Sequence, residues 1–216
     1  MAQNSPATPA KRPRGRPRAY EPDKALARAM EAFWEGGYSG TSLDTLAERM
    51  GMNRPSLYAA FGDKEQLYLK ALERYSDGSR AFIKAAFAAD QPLSKALLQV
   101  YTAAIDVYVA GENGQRGCFS TVTAATEAAT NPVVREAFAQ GLKRLDGAFE
   151  ARFRKAIADG DLASSADTRM LGRLATAIIQ TLALRARSGE AKASLIATAK
   201  SAVEMLCGEP RARARR

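Results

Sequence analysis

Histidine is missing from the 216 residues of this chain. Without an imidazole there is no Ser-His-Asp triad, no histidine general base and no histidine metal ligand. Cysteine is nearly absent: only Cys118 and Cys207 occur, far apart. They make no disulfide framework, fit a reducing cytoplasm, and cannot fill a four-ligand structural zinc site within one chain. No phosphate-cradling G-x4-GK[ST] loop and no strand-linked GxGxxG is present, so neither nucleotide motif is available. Apolar runs are short; none approaches the roughly 18 residues of a membrane span. The N-terminus is polar, basic and proline-rich, without the apolar core of a secretory signal. These absences argue against an enzyme, a metal, a cofactor and a membrane, and place the chain in the cytoplasm.

Proline is scarce as well. Between residues 23 and 209 it occurs only as Pro55, Pro92 and Pro132, each at a helix start, where its missing N–H costs nothing. Between them lie long alanine-rich segments with apolar residues at helical spacing, and no alternating strand pattern. The fold class is all-α. Helices are expected at about 22–36, 42–50, 54–60, 63–88, 93–110, 118–129, 132–159, 166–188 and 190–207. Gly36-Gly37 ends the first, Asp63 with Gln66 caps the fourth, Asn131-Pro132 opens the seventh and Gly160 closes it.

Charge is unevenly placed. Of the net +9, residues 1–18 carry +5 and residues 209–216 carry +3, which leaves +1 for the body. Residues 19–75 hold seven bases against nine acids, a net of −2. The arm contains Arg14-Gly15-Arg16-Pro17-Arg18, which has the form of an AT-hook core. Glycine lets the backbone sit deep, and arginines suit the narrow, negative minor groove. A solvated basic tail is the plainer alternative.

The stretch 41–60 reads as a helix-turn-helix. Thr41 and Asp44, three apart, have the spacing of a capping box. Leu43, Leu46, Ala47 and Met50 share a face, and Ala47 is small enough for a second helix to cross close by. Gly51 suits the left-handed turn that ends a helix. Asn53 caps the next, with Arg54 and Pro55 in its first turn. Leu57 and Phe61 point inward, which leaves Arg54, Ser56, Tyr58 and Ala59 on the outward face, the one that enters a major groove. The alternative is an ordinary helix–glycine–helix corner.

Residues 19–68 resemble the DNA-binding head of TetR-family transcriptional regulators. The likeness rests on Phe33-Trp34 before Gly37-Tyr38, on the Thr41-Ser42 cap, on Ala47 and Gly51 at the turn, and on Leu57, Tyr58, Phe61, Lys64, Glu65 and Leu67 after it. Ala59 and Ala60 stand where many members carry bulky side chains. The resemblance implies a three-helix DNA-binding domain over 19–75, followed by a larger effector-binding and dimerisation domain over 76–208, with 1–18 as an arm and 209–216 as a tail. It implies double-stranded DNA as partner, with Arg54, Pro55, Ser56 and Tyr58 on the DNA. Arg54 would read guanine, and Tyr58, Lys64, Thr41 and Ser42 would meet phosphates. The fourth helix, running from Lys64 into the body, would connect the two domains.

It further implies a small-molecule effector in the body. Three apolar stripes are candidates for its pocket: Tyr101, Ile105 and Tyr108; Cys118, Phe119 and Val122; Phe138, Leu142, Leu145 and Phe149, with Ile178 added from a later helix. Core packing is the alternative for each. Cys118 sits near a helix start beside Arg116, surroundings that can make a thiol reactive; a thiol-based sensor is therefore an alternative function, and an inert buried thiol the alternative to that. The last two helices are expected to pair with a second copy through Leu171, Leu174, Ile178 and Leu182 and through Leu195, Ala199, Ala202 and Leu206, or else to cover their own core. The expected function is a ligand-responsive repressor that binds a palindromic operator as a homodimer. An arm-driven architectural DNA protein is a further alternative.

Overall fold

The computed structural model describes residues 21–111 and 115–208; the arm with Arg14, Arg16 and Arg18 and the tail 209–216 lie outside them. Among the described residues all regular structure is helical, and no helix is long and apolar enough to cross a membrane. The helices are α1 (Pro22–Gly40), α2 (Leu43–Met50), α3 (Arg54–Phe61), α4 (Lys64–Ala88) and α5 (Leu93–Tyr108). After the loop come a π-helical turn (Ser120–Ala124) and the short α6 (Ala125–Glu127), then α7 (Pro132–Ala158), α8 (Thr168–Arg187) and α9 (Lys192–Cys207).

Most ends are set locally. Within α1 the helix is broken at Gly37, whose φ is 71° and ψ 173°. Gly51 closes α2 in the left-handed conformation, φ 66° and ψ 37°. Asn53 accepts from the Ser56 N–H at 2.9 Å, and Asp63 and Gln66 form the reciprocal capping box of α4. Asn131 caps α7 by accepting from Val133 and Val134. Each satisfies a backbone donor that the first turn leaves free.

Two local expectations are corrected. The cap of α2 is Ser42, which accepts from the Thr45 N–H at 3.0 Å. Thr41 is buried, and its hydroxyl donates to the Gly37 carbonyl at 2.6 Å; two usable hydroxyls stand side by side, and burial took the first. The helix expected over 118–129 begins instead as a π turn. Inside it the buried Thr123 hydroxyl donates to the Phe119 carbonyl at 2.7 Å and lies 2.7 Å from the Tyr68 hydroxyl. Such turns insert one residue into a helical repeat.

The apolar interior falls into two clusters. One is built around α1–α4, with Phe33, Trp34, Leu46, Leu57 and Tyr68, and it takes Phe119, Ala124 and Val134 from later in the chain. The other joins α5, α7, α8 and α9 through Leu97, Tyr101, Phe149, Leu182 and Leu195. Tyr75 packs against both. The boundary expected at 75/76 thus falls inside the unbroken α4.

Of the residues expected to meet a second copy, Leu174 is exposed in the single chain and Leu171, Ile178 and Ala202 are half-buried. Leu182, Leu195, Ala199 and Leu206 are buried in this chain's own core. The outward stripe of α8 is Met170, Leu174, Ala177, Thr181 and Leu184, apolar apart from the Thr181 hydroxyl and at helical spacing, and on α9 Met205 is 85% exposed. The stripe shares Leu174 with the expected face and otherwise lies one step around the helix from it.

Candidate nucleic-acid interface and internal cavity

The turn at Gly51 sets α3 across α2, with Leu57 and Phe61 buried beneath it. On the other side Arg54, Pro55, Tyr58 and Ala59 are exposed and Ser56 half-buried. Arg54 is already engaged: its Nε and Nη2 donate to the two Asp44 oxygens at 2.7 and 2.5 Å. That bidentate hydrogen bond, and then the opposite charge, raises the Arg54 pKa and lowers that of Asp44. The fork that would read guanine is held on the outer face, and a base must displace Asp44 to take it. Lys64 stands 4.5 Å over the Tyr38 ring, and partial burial lowers its pKa against an opposing pull from Glu127. Ser42 is exposed at the start of α2. Thr41, buried and bonded internally, does not offer its hydroxyl to a phosphate.

A cavity of 390 Å³ lies between α4, α5 and α7, within the size range of small-ligand sites. Of the predicted lining, Tyr108, Cys118, Phe138 and Leu142 are there, with Leu145. The others are elsewhere. Tyr101 is fully buried, with its hydroxyl on the Ala175 carbonyl at 3.2 Å. Ile105 and Phe149 fill the same core, and Phe149 meets Phe87 and Tyr101 ring to ring. Phe119 and Val122 turn toward the other cluster, and Ile178 packs on the core while its neighbour Ile179 reaches the cavity. A pocket stripe and a core stripe look alike along one helix; only the facing helices distinguish them.

The wall that sequence reasoning misses is α4. Tyr75, Ser79, Phe82 and Ile83 line the cavity, at spacings that put them on one side of the helix. That spacing is a usable signal, and it makes α4 a wall of the cavity as well as a connector.

At the inner end the Tyr75 hydroxyl donates to Cys118 Sγ at 3.2 Å, and Tyr108 also bonds the thiol. Burial pushes both phenols well above their ordinary range, and Cys118 adds to the effect. Two residues earlier, Arg116 joins this wall to α1. Its guanidinium lies 3.7 Å from the Trp34 ring centre and pairs with Glu31 at 2.5 and 2.6 Å. Its carbonyl accepts from Trp34 Nε1 at 3.1 Å, and its N–H donates to the Tyr108 carbonyl at 3.0 Å. Gly117 follows with φ 68°, where a Cβ would sit 2.9 Å from Val122 and 3.1 Å from the Ala183 carbonyl. No larger residue fits that approach. Trp34 also meets Tyr75 edge-on at 5.2 Å. The cavity wall and the first helix are thereby one contiguous set of contacts, and no pattern along the chain marks Arg116, Trp34 and Glu31 as partners.

Residues 25–71 match the family described as bacterial regulatory proteins, tetR family, and residues 94–202 match the tetracyclin repressor-like C-terminal domain. The chain is 28% identical to the transcriptional repressor ComR of Escherichia coli (strain K12), over 90% of this chain and 93% of that protein. It is 30% identical to the transcriptional activator FasR of Mycolicibacterium smegmatis, over 70% and 72%. Among solved structures, a cysteine mutant of the regulator CifR complexed with 26 bp double-strand operator DNA superposes with a TM-score of 0.81 at 31% identity, covering 88% of this chain and 98% of that one.

Proposed function

The chain belongs to the TetR family of bacterial transcriptional regulators, a non-enzymatic class, and from that membership we propose that it is a dimeric repressor released from its operator by an effector. The observation that carries the DNA part is the outward face of α3, with Arg54 and Tyr58 exposed beside the Gly51 turn. The operator complex of CifR, 31% identical, supports duplex DNA as partner. Repression rather than activation follows the likeness to ComR, which spans more of this chain than the likeness to FasR.

In this reading Arg54 exchanges Asp44 for a base edge, while Ser42, Ser56, Tyr58 and Lys64 position the helix on phosphates. The two-fold symmetry comes from α8 and α9, through Met170, Leu174 and Leu184 and through Met205, all exposed in the single chain. The arm supplies Arg14, Arg16 and Arg18 to the minor groove; residues 21–75, with their excess of acids, need that help. The effector occupies the cavity and favours a form in which the α4 wall and the Arg116–Trp34 pair shift α1–α3 away from the operator. It releases DNA only insofar as it binds that form better.

The test is footprinting on the DNA upstream of the chain's own gene. A protected palindrome is expected, with Arg54→Ala weakening it by about tenfold or more. Deletion of residues 1–18 should lower the log–log salt slope by about 0.9 for each phosphate the arm neutralises. Absence of any protected palindrome would overturn the reading, and an unchanged slope would remove the arm from it.

A second reading has one observation behind it: the Cys118 thiol lines the cavity beside two phenols. As a thiol sensor, the protein would lose its operator on mild oxidation, and Cys118→Ser would abolish that response. A response retained in the variant excludes this mode.

A further inference from the structure

We infer that the cavity takes a compact apolar monoanion, a carboxylate carried on a hydrophobic body; this rests on the cavity being the effector site. The charged side chains that line it are Arg80 and Arg144, and no aspartate or glutamate among the described residues lines it. Its walls are apolar, with Phe82, Ile83, Val100 and Leu142 among them.

The polar groups around Cys118 are already engaged. The Tyr75 hydroxyl donates to Cys118 Sγ, the Cys118 and Ser120 side chains are 3.1 Å apart, and the Ser76 hydroxyl donates to the Leu72 carbonyl at 2.8 Å. A charged ligand group placed beside Tyr75 and Cys118 would lose its hydration and meet hydroxyls and a thiol that are already engaged. At the rim the balance is reversed. Arg144 is exposed and makes no hydrogen bond or ion pair among the described residues, and Arg80 pairs only with Asp77, one turn earlier on the exposed side of α4. A carboxylate at the rim meets one unpaired guanidinium and competes with Asp77 for another, while its hydrocarbon part fills the apolar interior. A cation entering the same space would be desolvated with no carboxylate to meet it. A neutral apolar molecule would fit the walls and make no use of either arginine.

The test measures binding without DNA, so that it stands apart from the operator experiment. The full-length protein is titrated calorimetrically with straight-chain carboxylates from butyrate to decanoate, with 4-phenylbutyrate, and with the matching primary alcohols. The expected result is that at least one acid binds, roughly tenfold more tightly than its alcohol, since charge-assisted bonds to arginine are the stronger kind. Arg80→Gln with Arg144→Gln should erase that preference and leave the alcohol affinity unchanged. Gly141 lines the cavity with open space beside it, so Gly141→Phe should block both series; Gly141→Leu replaces it should the larger side chain prevent folding. Alcohols binding as well as acids, or no acid binding at all, overturns the monoanion. Acid binding that survives undiminished in the Gly141 variants places the ligand elsewhere, and the cavity then ceases to be the effector site.

Discussion

The α2–α3 pair and the segment from Gln115 to Ala124 are both short stretches in which the chain changes direction, yet they are held in opposite ways. In α2–α3 the decisive bonds span three residues: Ser42 to Thr45 and Asn53 to Ser56. In 115–124 they run far along the chain: Trp34 to Arg116, Glu31 to Arg116, Tyr75 to Cys118 and Tyr68 to Thr123. A locally capped motif keeps its shape while its surroundings shift, as a reading head requires. A segment held by distant side chains keeps its shape only while all of them stay put. It is therefore a place where filling a cavity can be felt at a distance, because packed contacts have discrete alternatives and do not deform smoothly.

Trp34→Ala tests this contrast most severely. Trp34 is 4% exposed and carries the Arg116 stack, the hydrogen bond to the Arg116 carbonyl and the edge contact with Tyr75. A destabilisation of about 3 to 5 kcal/mol is expected in urea unfolding. A smaller effect, near that of a surface change, would mean that the segment is not held from α1.

Next comes alkaline pH, which strikes the buried phenols. Burial raises Tyr68 to about 12, and Tyr75 and Tyr108 are raised well above the ordinary value of 10. Below pH 10 these groups are protonated in both folded and unfolded chains. Above it the unfolded chain releases protons that the folded one keeps, so stability falls as pH rises toward 12. Cys207, raised by burial to about 11, starts the same decline from pH 9. Tyr68 alone should account for roughly 2 to 3 kcal/mol across its window, and Tyr68→Phe should make the fall of unfolding free energy with pH shallower by that amount, with the part due to Tyr75, Tyr108 and Cys207 remaining. A flat curve in the unaltered protein would contradict the burial of these rings.

The smallest effect is expected in the head. Asn53→Ala removes one cap and should cost about 1 kcal/mol, with effector binding in the cavity unaffected. If it costs as much as Trp34→Ala, the two regions are not held differently after all.

Much of the first region is legible in the sequence because its determinants are neighbours. Asn53 before Arg54-Pro55, Gly51 after Met50, and Asp63 three before Gln66 each name a backbone conformation by themselves. Thr41 shows the limit of that logic: its hydroxyl is as good a cap as that of Ser42, and only burial against α1 decides between them. The cavity is half legible. Tyr108, Cys118, Phe138 and Leu142 line it, whereas Tyr101, Ile105 and Phe149 have the same chemistry and fill core instead. The outward stripe of α8 is half legible for the same reason: Leu174 lies on it, whereas Leu182 has the same chemistry and fills core, since leucines mark an apolar face without saying which neighbour covers it.

The sequence alone determined the helix-turn-helix, its glycine turn and the Asn53 and Asp63 caps, the all-helical class and the basic arm, because caps, periodicity and charge act over a few residues. Which apolar stripe became wall, core or outer surface, and the joining of Arg116 to Trp34 and Glu31, were decided only by tertiary structure. Those contacts unite residues some eighty positions apart, and no local preference along the chain records that they will meet.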